Sequence, residues 1–180
     1  MKRRTALQVV TAAIGPGQLA MAQHHLITLA EAPESYKPRF FNPEQIELLS
    51  QLTEMIIPAD AHSPGAKEAQ VSLFIDLIVA HSAPDIQERW KSGLKLVETE
   101  AHKRSDRPFL KCSPADQDSI LGTLAAGEAD PRTELERFFA LLKLMTIDGY
   151  YTSAIGIHRE LQYKGNAVLA RFPGCSHSEH

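Results

Sequence analysis

No stretch of this 180-residue chain alternates apolar and polar residues with the period of two that a half-buried strand needs. Apolar residues recur at intervals of three and four instead, and the runs are short. Eleven prolines and ten glycines punctuate them, which predicts several short helices rather than a few long ones. The start signals agree. Asn42-Pro43-Glu44-Gln45 supplies a capping asparagine, a proline at the first helical position and a glutamine where a capping box needs one. Ile46, Leu49, Leu52 and Ile56 follow with helical spacing, and Pro58 ends the run. A second helix is predicted from Ala66 to about His81, with Val71, Phe74, Ile75 and Ile78 inward. Ser82 and Pro84 open a third, facing inward through Ile86, Trp90, Leu94 and Val97 and ending in the charged stretch His102 to Arg107. Cys112-Ser113-Pro114-Ala115-Asp116 is another cap signal, leading to Ile120, Leu121 and Leu124. After a loop from Gly127 to Pro131, a long helix from about Thr133 carries Leu135, Phe138, Leu142 and Met145, and the chain is expected to turn at Gly149. A final helix is predicted over Ser153 to Leu161. The expected class is all-α, an irregular orthogonal bundle of five to seven helices.

The start of the chain reads differently. Lys2-Arg3-Arg4 precedes a modest apolar run from Ala6 to Ala13, and Ala20-Met21-Ala22 fits a small-x-small cleavage site. That is the layout of a signal peptide over residues 1–22, too short in its apolar part for a stable membrane anchor. The adjacent Arg3 and Arg4 point to twin-arginine export, although Ala6 stands where the stronger form has a bulky apolar residue. An ordinary leader that carries two arginines, or an uncleaved N-terminal anchor, remains open. Residues 23–39, with Pro33 and Pro38, read as an extended arm, residues 40–175 as the helical domain and residues 176–180 as a tail. A body of roughly 150 residues buries about 68–70% of its unfolded surface, enough for a real core. The net charge of −3 argues against nucleic acid as a partner, because phosphate binding needs a basic face.

Candidate chemistry is sparse. Asp60, Asp76 and Asp148 lie in or beside apolar stretches, where a carboxylate must be hydrogen-bonded or paired. None has a second group placed with it for acid–base work, so structural roles are expected. Lys143 interrupts an apolar helix, either as an exposed edge residue or as the ion partner of Asp148. Cys175, His177 and His180 have metal-ligand character, but three ligands on a tail need a partner to close a site. Cleavage after Ala22 exposes Gln23-His24-His25, a chelating amino terminus that glutamine cyclisation destroys. Cys112 and Cys175 can pair in an oxidising compartment, Cys175 can bridge to a partner, or both can stay free. No phosphate-binding loop, dinucleotide fingerprint or Ser/His/Asp set is present, so no catalytic or cofactor-binding residue is expected in this chain. A stand-alone exported metal-binding protein, using the His and Cys termini, is the alternative function.

The richest segment is Phe138 to Gly165, where an apolar helix opens onto Tyr150-Tyr151-Thr152-Ser153 and closes on Gln162-Tyr163-Lys164-Gly165, with Phe172-Pro173-Gly174-Cys175 beyond. Tyrosine puts an apolar ring and a polar tip in one place, which suits a surface that holds a partner. Tyr150, Tyr151, Tyr163, Pro173, Gly174 and Cys175 are the contact candidates. Together with Ile56-Ile57-Pro58-Ala59-Asp60, Pro64-Gly65-Ala66, Lys143, Thr146, Gly149 and Gly156, these residues make the chain from Phe40 to Cys175 resemble the small subunit of membrane-associated gluconate 2-dehydrogenase, the subunit 3 family. The resemblance implies a noncatalytic small subunit that accompanies an FAD-dependent flavoprotein of the glucose-methanol-choline type. FAD would belong to that partner, and a cytochrome c subunit in the same complex would pass electrons to the quinone pool. It implies a periplasmic location at the outer face of the inner membrane, with membrane association only through the complex. Twin-arginine export carries folded proteins, so a chain with such a leader can escort a flavoprotein that lacks one.

Overall fold

The computed structural model describes residues 36–165. Among them are five α-helices and no strand: α1 (Pro43–Ile56), α2 (Val71–Ala80), α3 (Pro84–Ser105), α4 (Pro114–Ala126) and α5 (Glu134–Tyr151). A single 3-10 turn, Phe109–Lys111, precedes α4, and one turn of π-helix, Gly156–Glu160, follows α5. The all-α bundle expected from periodicity is the fold observed. The helix starts form as their sequences dictate. Asn42 accepts from the Gln45 amide at 2.8 Å while the Gln45 side chain accepts from Asn42 N–H at 3.0 Å, a complete capping box. Thr133 and Glu136 form a second one at the head of α5, and Ser113 caps α4. Pro84 takes the first position of α3 with no side-chain cap before it.

Three elements depart from expectation. Residues 66–70 are turns rather than the first turn of α2, because Gln70 sits in the left-handed region at φ 57° and the Val71 amide reaches back to Ala66 O. The chain does not turn at Gly149, and α5 runs on to Tyr151. Gly149 serves packing there, since a Cβ on it would lie 2.7 Å from the Phe74 ring and 3.1 Å from Val71. After α5, an i to i−5 bond from Leu161 N–H to Gly156 O at 2.9 Å makes the last turn π rather than α.

The core gathers one face of every helix. Leu48, Leu49, Leu52, Val71, Ile75, Val79, Trp90, Leu94, Val97, Ile120, Leu121, Leu124, Phe138, Phe139 and Leu142 are all buried. Ile78, expected inward, is instead 41% exposed, and Val79 takes the inward position. Aromatic edges run through the centre: Phe41 meets Trp90 at 6.2 Å and Trp90 meets Phe138 at 5.4 Å, both edge-on. Such pairs add about 0.5–1.5 kcal/mol beyond area burial.

One carboxylate fixes the entry to this bundle. Asp76 on α2 is fully buried, and it accepts backbone N–H bonds from Arg39 (2.7 Å), Phe40 (3.0 Å) and Phe41 (2.9 Å). Arg39, placed at the end of the arm by sequence, is therefore already fastened to the helical unit. The bonds offset the desolvation that a bare buried carboxylate would suffer, and they hold Phe41 over Trp90. Replacing Asp76 by Ala orphans these donors, and the unfolding free energy is expected to fall by about 3 kcal/mol or more in urea titrations followed by circular dichroism. Asp76→Asn keeps an amide oxygen in place and is expected to lose roughly half as much.

Candidate functional site

The loop between α1 and α2 is built by two carboxylate acceptors. Pro58 stops α1. Glu54, in the last turn of α1, reaches past it to accept from Ala59 N–H at 3.1 Å and Lys67 N–H at 2.7 Å. Asp60 accepts from His62 N–H at 2.7 Å and Ser63 N–H at 2.8 Å, while its own amide donates to Ser63 O at 3.0 Å. This is the aspartate turn that a short carboxylate makes with the backbone just ahead of it. The Ser63 bond first, and then the His62 bond, hold the Asp60 carboxyl below its ordinary range.

The end of α5 closes on that loop from the other side. The Tyr150 ring is only 2% exposed, and its hydroxyl donates to Pro64 O at 2.7 Å. The buried Ser63 hydroxyl lies 2.7 Å from the phenolic oxygen and supplies the proton that oxygen still accepts. Ser153 donates to Tyr150 O at 2.6 Å and accepts from Gly156 N–H at 3.0 Å. Gly156 has no room for a side chain, because a Cβ there would collide with the Tyr150 carbonyl, and a Cβ on Gly65 would collide with the Glu54 carboxylate. On the rim, His62 Nε2 lies 3.2 Å from Glu160 O and 3.9 Å from its carboxylate. Residues 57–66, 149–153 and 156–160, far apart in sequence, thus form one knot.

The tyrosines part company at this point. Tyr150, expected as a partner contact, lies inside the domain, where its ring fills core space and its hydroxyl is engaged. Tyr151 is 38% exposed and meets Tyr150 edge-on at 5.3 Å, so the buried ring positions the exposed one. Tyr163 is 51% exposed. Two exposed apolar residues of α5, Leu144 at 56% and Ile147 at 37%, read in sequence as part of its apolar run but not as contact candidates. The available signal was that α5 is apolar on more than one side, which a one-faced helix is not.

Lys143 pairs with Glu128 at 2.6 Å rather than with Asp148. Positions five apart stand about 140° round a helix, so the loop carboxylate reaches the ammonium and Asp148 does not. Cys112 is buried, with its sulfur 3.2 Å from Ser105 Oγ and 3.4 Å from Pro108 O. Arg3, Arg4, His24, His25, Pro173, Gly174, Cys175, His177 and His180 lie outside the described residues. Among the described residues no group of three His, Cys, Asp or Glu side chains could hold a metal, and no helix is long and apolar enough to cross a membrane. A groove of about 760 Å³ between α1 and α3 is lined by Lys91, Lys95 and Lys111 against Glu44, Glu47 and Glu98, over Leu48 and Leu94. It includes no residue of the knot.

The model of the family described as gluconate 2-dehydrogenase subunit 3 matches residues 43–168, which takes in every helix of the described residues and the whole knot. The chain belongs to that family. No curated protein and no solved structure matches it. In this subunit 3 protein the sequence landmarks Ile56 to Asp60, Pro64 to Ala66, Gly149 to Ser153 and Gly156 meet in one place. Their polar atoms hold backbone and one another.

Two outcomes follow. Tyr150→Phe leaves the Ser63 hydroxyl and Pro64 carbonyl without their buried partner, and stability in urea is expected to drop by about 1–2 kcal/mol. Asp60 titrates from a lowered folded value, so its hold on the loop is complete above the ordinary Asp range and is lost as pH falls through the lowered value. In amide NMR, the His62 and Ser63 proton shifts are expected to titrate below the usual Asp pKa, and Asp60→Asn is expected to abolish that titration.

Proposed function

We propose that this subunit 3 protein is a noncatalytic small subunit that binds, stabilises and escorts an FAD-dependent catalytic subunit through twin-arginine export. One observation carries the reading: the family landmarks Asp60, Tyr150, Ser153 and Gly156 are engaged in holding shape, bound to backbone or to each other, with Ser63 and Glu54 beside them doing the same. A catalytic acid or base needs a free position facing substrate. A scaffold needs the arrangement seen here, in which a rigid loop and a helix end brace one another.

The family name is that of a dehydrogenase subunit, and a subunit implies a larger catalytic partner. On this reading the flavin and the substrate contacts belong to that partner, a flavoprotein of the glucose-methanol-choline type. A cytochrome c subunit takes its electrons at the periplasmic face of the inner membrane. Arg3 and Arg4 in the leader supply the export signal that the flavoprotein borrows. Because the twin-arginine route moves folded cargo, the complex must form in the cytoplasm after FAD is bound.

Coexpression with the flavoprotein gene, followed by cell fractionation, tests this. FAD-loaded flavoprotein is expected in the periplasm with the full chain, and is expected to stay in the cytoplasm without it or with Arg3→Lys/Arg4→Lys. Flavoprotein exported and FAD-loaded in the absence of this chain would falsify the escort role.

A further inference from the structure

The outer side of α5 is apolar where a helix facing water is not. Leu144, Ile147 and Tyr151 are 56%, 37% and 38% exposed. At about 100° per residue these three, with Asp148 among them, fall within an arc of about 100°. The opposite side of the same helix buries Phe138, Phe139, Leu142, Thr146, Gly149 and Tyr150. Among the described residues α5 is covered on that opposite side, and its exposed strip keeps three large apolar side chains beside Arg137 and Asp148.

Resting on the subunit reading above, we propose that this outer side of α5 is the anchor on which the catalytic subunit docks. The seat it meets there is apolar, with a cationic side chain opposite Asp148. The charge argument is local. Asp148 is exposed, and among the described residues no ion pair reaches its carboxylate. The groove between α1 and α3 sets three lysines against three glutamates, and two of these groups are engaged, with Lys91 4.8 Å over the Phe40 ring and Glu98 accepting from Phe109 N–H at 3.0 Å. That groove has no net charge, and none of its lining residues is among the exposed large apolar side chains.

Preorganisation favours the same face. The Tyr151 ring rests edge-on against Tyr150, and Tyr150 is locked by Ser63 and Pro64. An anchor already held in place loses little freedom on binding. Three side chains cannot fill a stable interface of about 1,200–2,000 Å², so they form its centre, where binding energy concentrates, within a wider contact.

The test uses the full chain and its flavoprotein in pull-down and titration. Leu144→Gln/Ile147→Gln and, separately, Tyr151→Ala are each expected to raise Kd about tenfold or more. Asp148→Lys is expected to weaken binding by a similar factor. The melting temperature of the isolated subunit is expected to stay near wild type for Asp148→Lys. Tyr151→Ala, which loses its edge contact with Tyr150, and the Leu144/Ile147 variant are expected to lower it by a few degrees, so Kd is read well below every transition. Lys95→Glu in the α1–α3 groove is expected to leave Kd unchanged. Wild-type binding with undiminished binding by all three α5 variants would overturn the surface and leave the subunit reading standing. Failure of the wild-type chain to bind the flavoprotein at all would overturn that reading and this surface with it.

Discussion

The Tyr150 hydroxyl connects two parts of the chain 87 residues apart, and the shape of the family-specific region depends on that connection. Without it the loop after α1 would be held to the end of α5 only at the rim, through His62 and Glu160. With it, the loop is fixed to the buried face of that helix end. Both hydrogen bonds are about 2.7 Å long, the one to Ser63 buried and the one to Pro64 O partly so. A buried hydroxyl with both partners satisfied costs little to keep and much to disturb. Gly156 extends the same constraint, since the π-turn approaches the Tyr150 carbonyl too closely for any side chain.

Asp76 performs a parallel task at the other end of the bundle. There a single carboxylate gathers three successive amides and sets Phe41 onto Trp90. The two devices share a logic: polar atoms inside this small domain are used to place backbone, and the apolar core then fills in around them. Helix α5 joins the two regions. It carries Phe138 against Trp90 near its start and Tyr150 against the loop at its end. A helix held at both ends presents its outer side with little freedom to adjust.

Much of this fold was legible in sequence, because capping is local chemistry. The Asn42/Gln45 and Ser113 caps are read within four residues and form as read. Core faces followed from spacing except at Ile78, where two adjacent β-branched residues compete for one inward position and Val79 takes it. The knot could not be read. The Ser63–Tyr150 contact has no local signature, and a lone serine in a turn-rich loop looks like any other. Paired tyrosines suggested a surface, but two neighbours on a helix point about 100° apart, so one of them faces inward. Gly149 was read as a turn because glycine often marks one, whereas here it lets α2 pack against α5. The family itself was legible because its landmarks recur in order, even though their spatial meeting was not.

The most direct measurement is a site-specific crosslink. A photo-reactive amino acid placed at position 144, 147 or 151 of the full chain, in cells that also make the flavoprotein, captures whatever lies on the outer side of α5. The expected product is a covalent adduct with the large catalytic subunit from all three positions, and none from position 95. Adducts from position 95 alone, with positions 144, 147 and 151 open to solvent in the assembled complex, would contradict it.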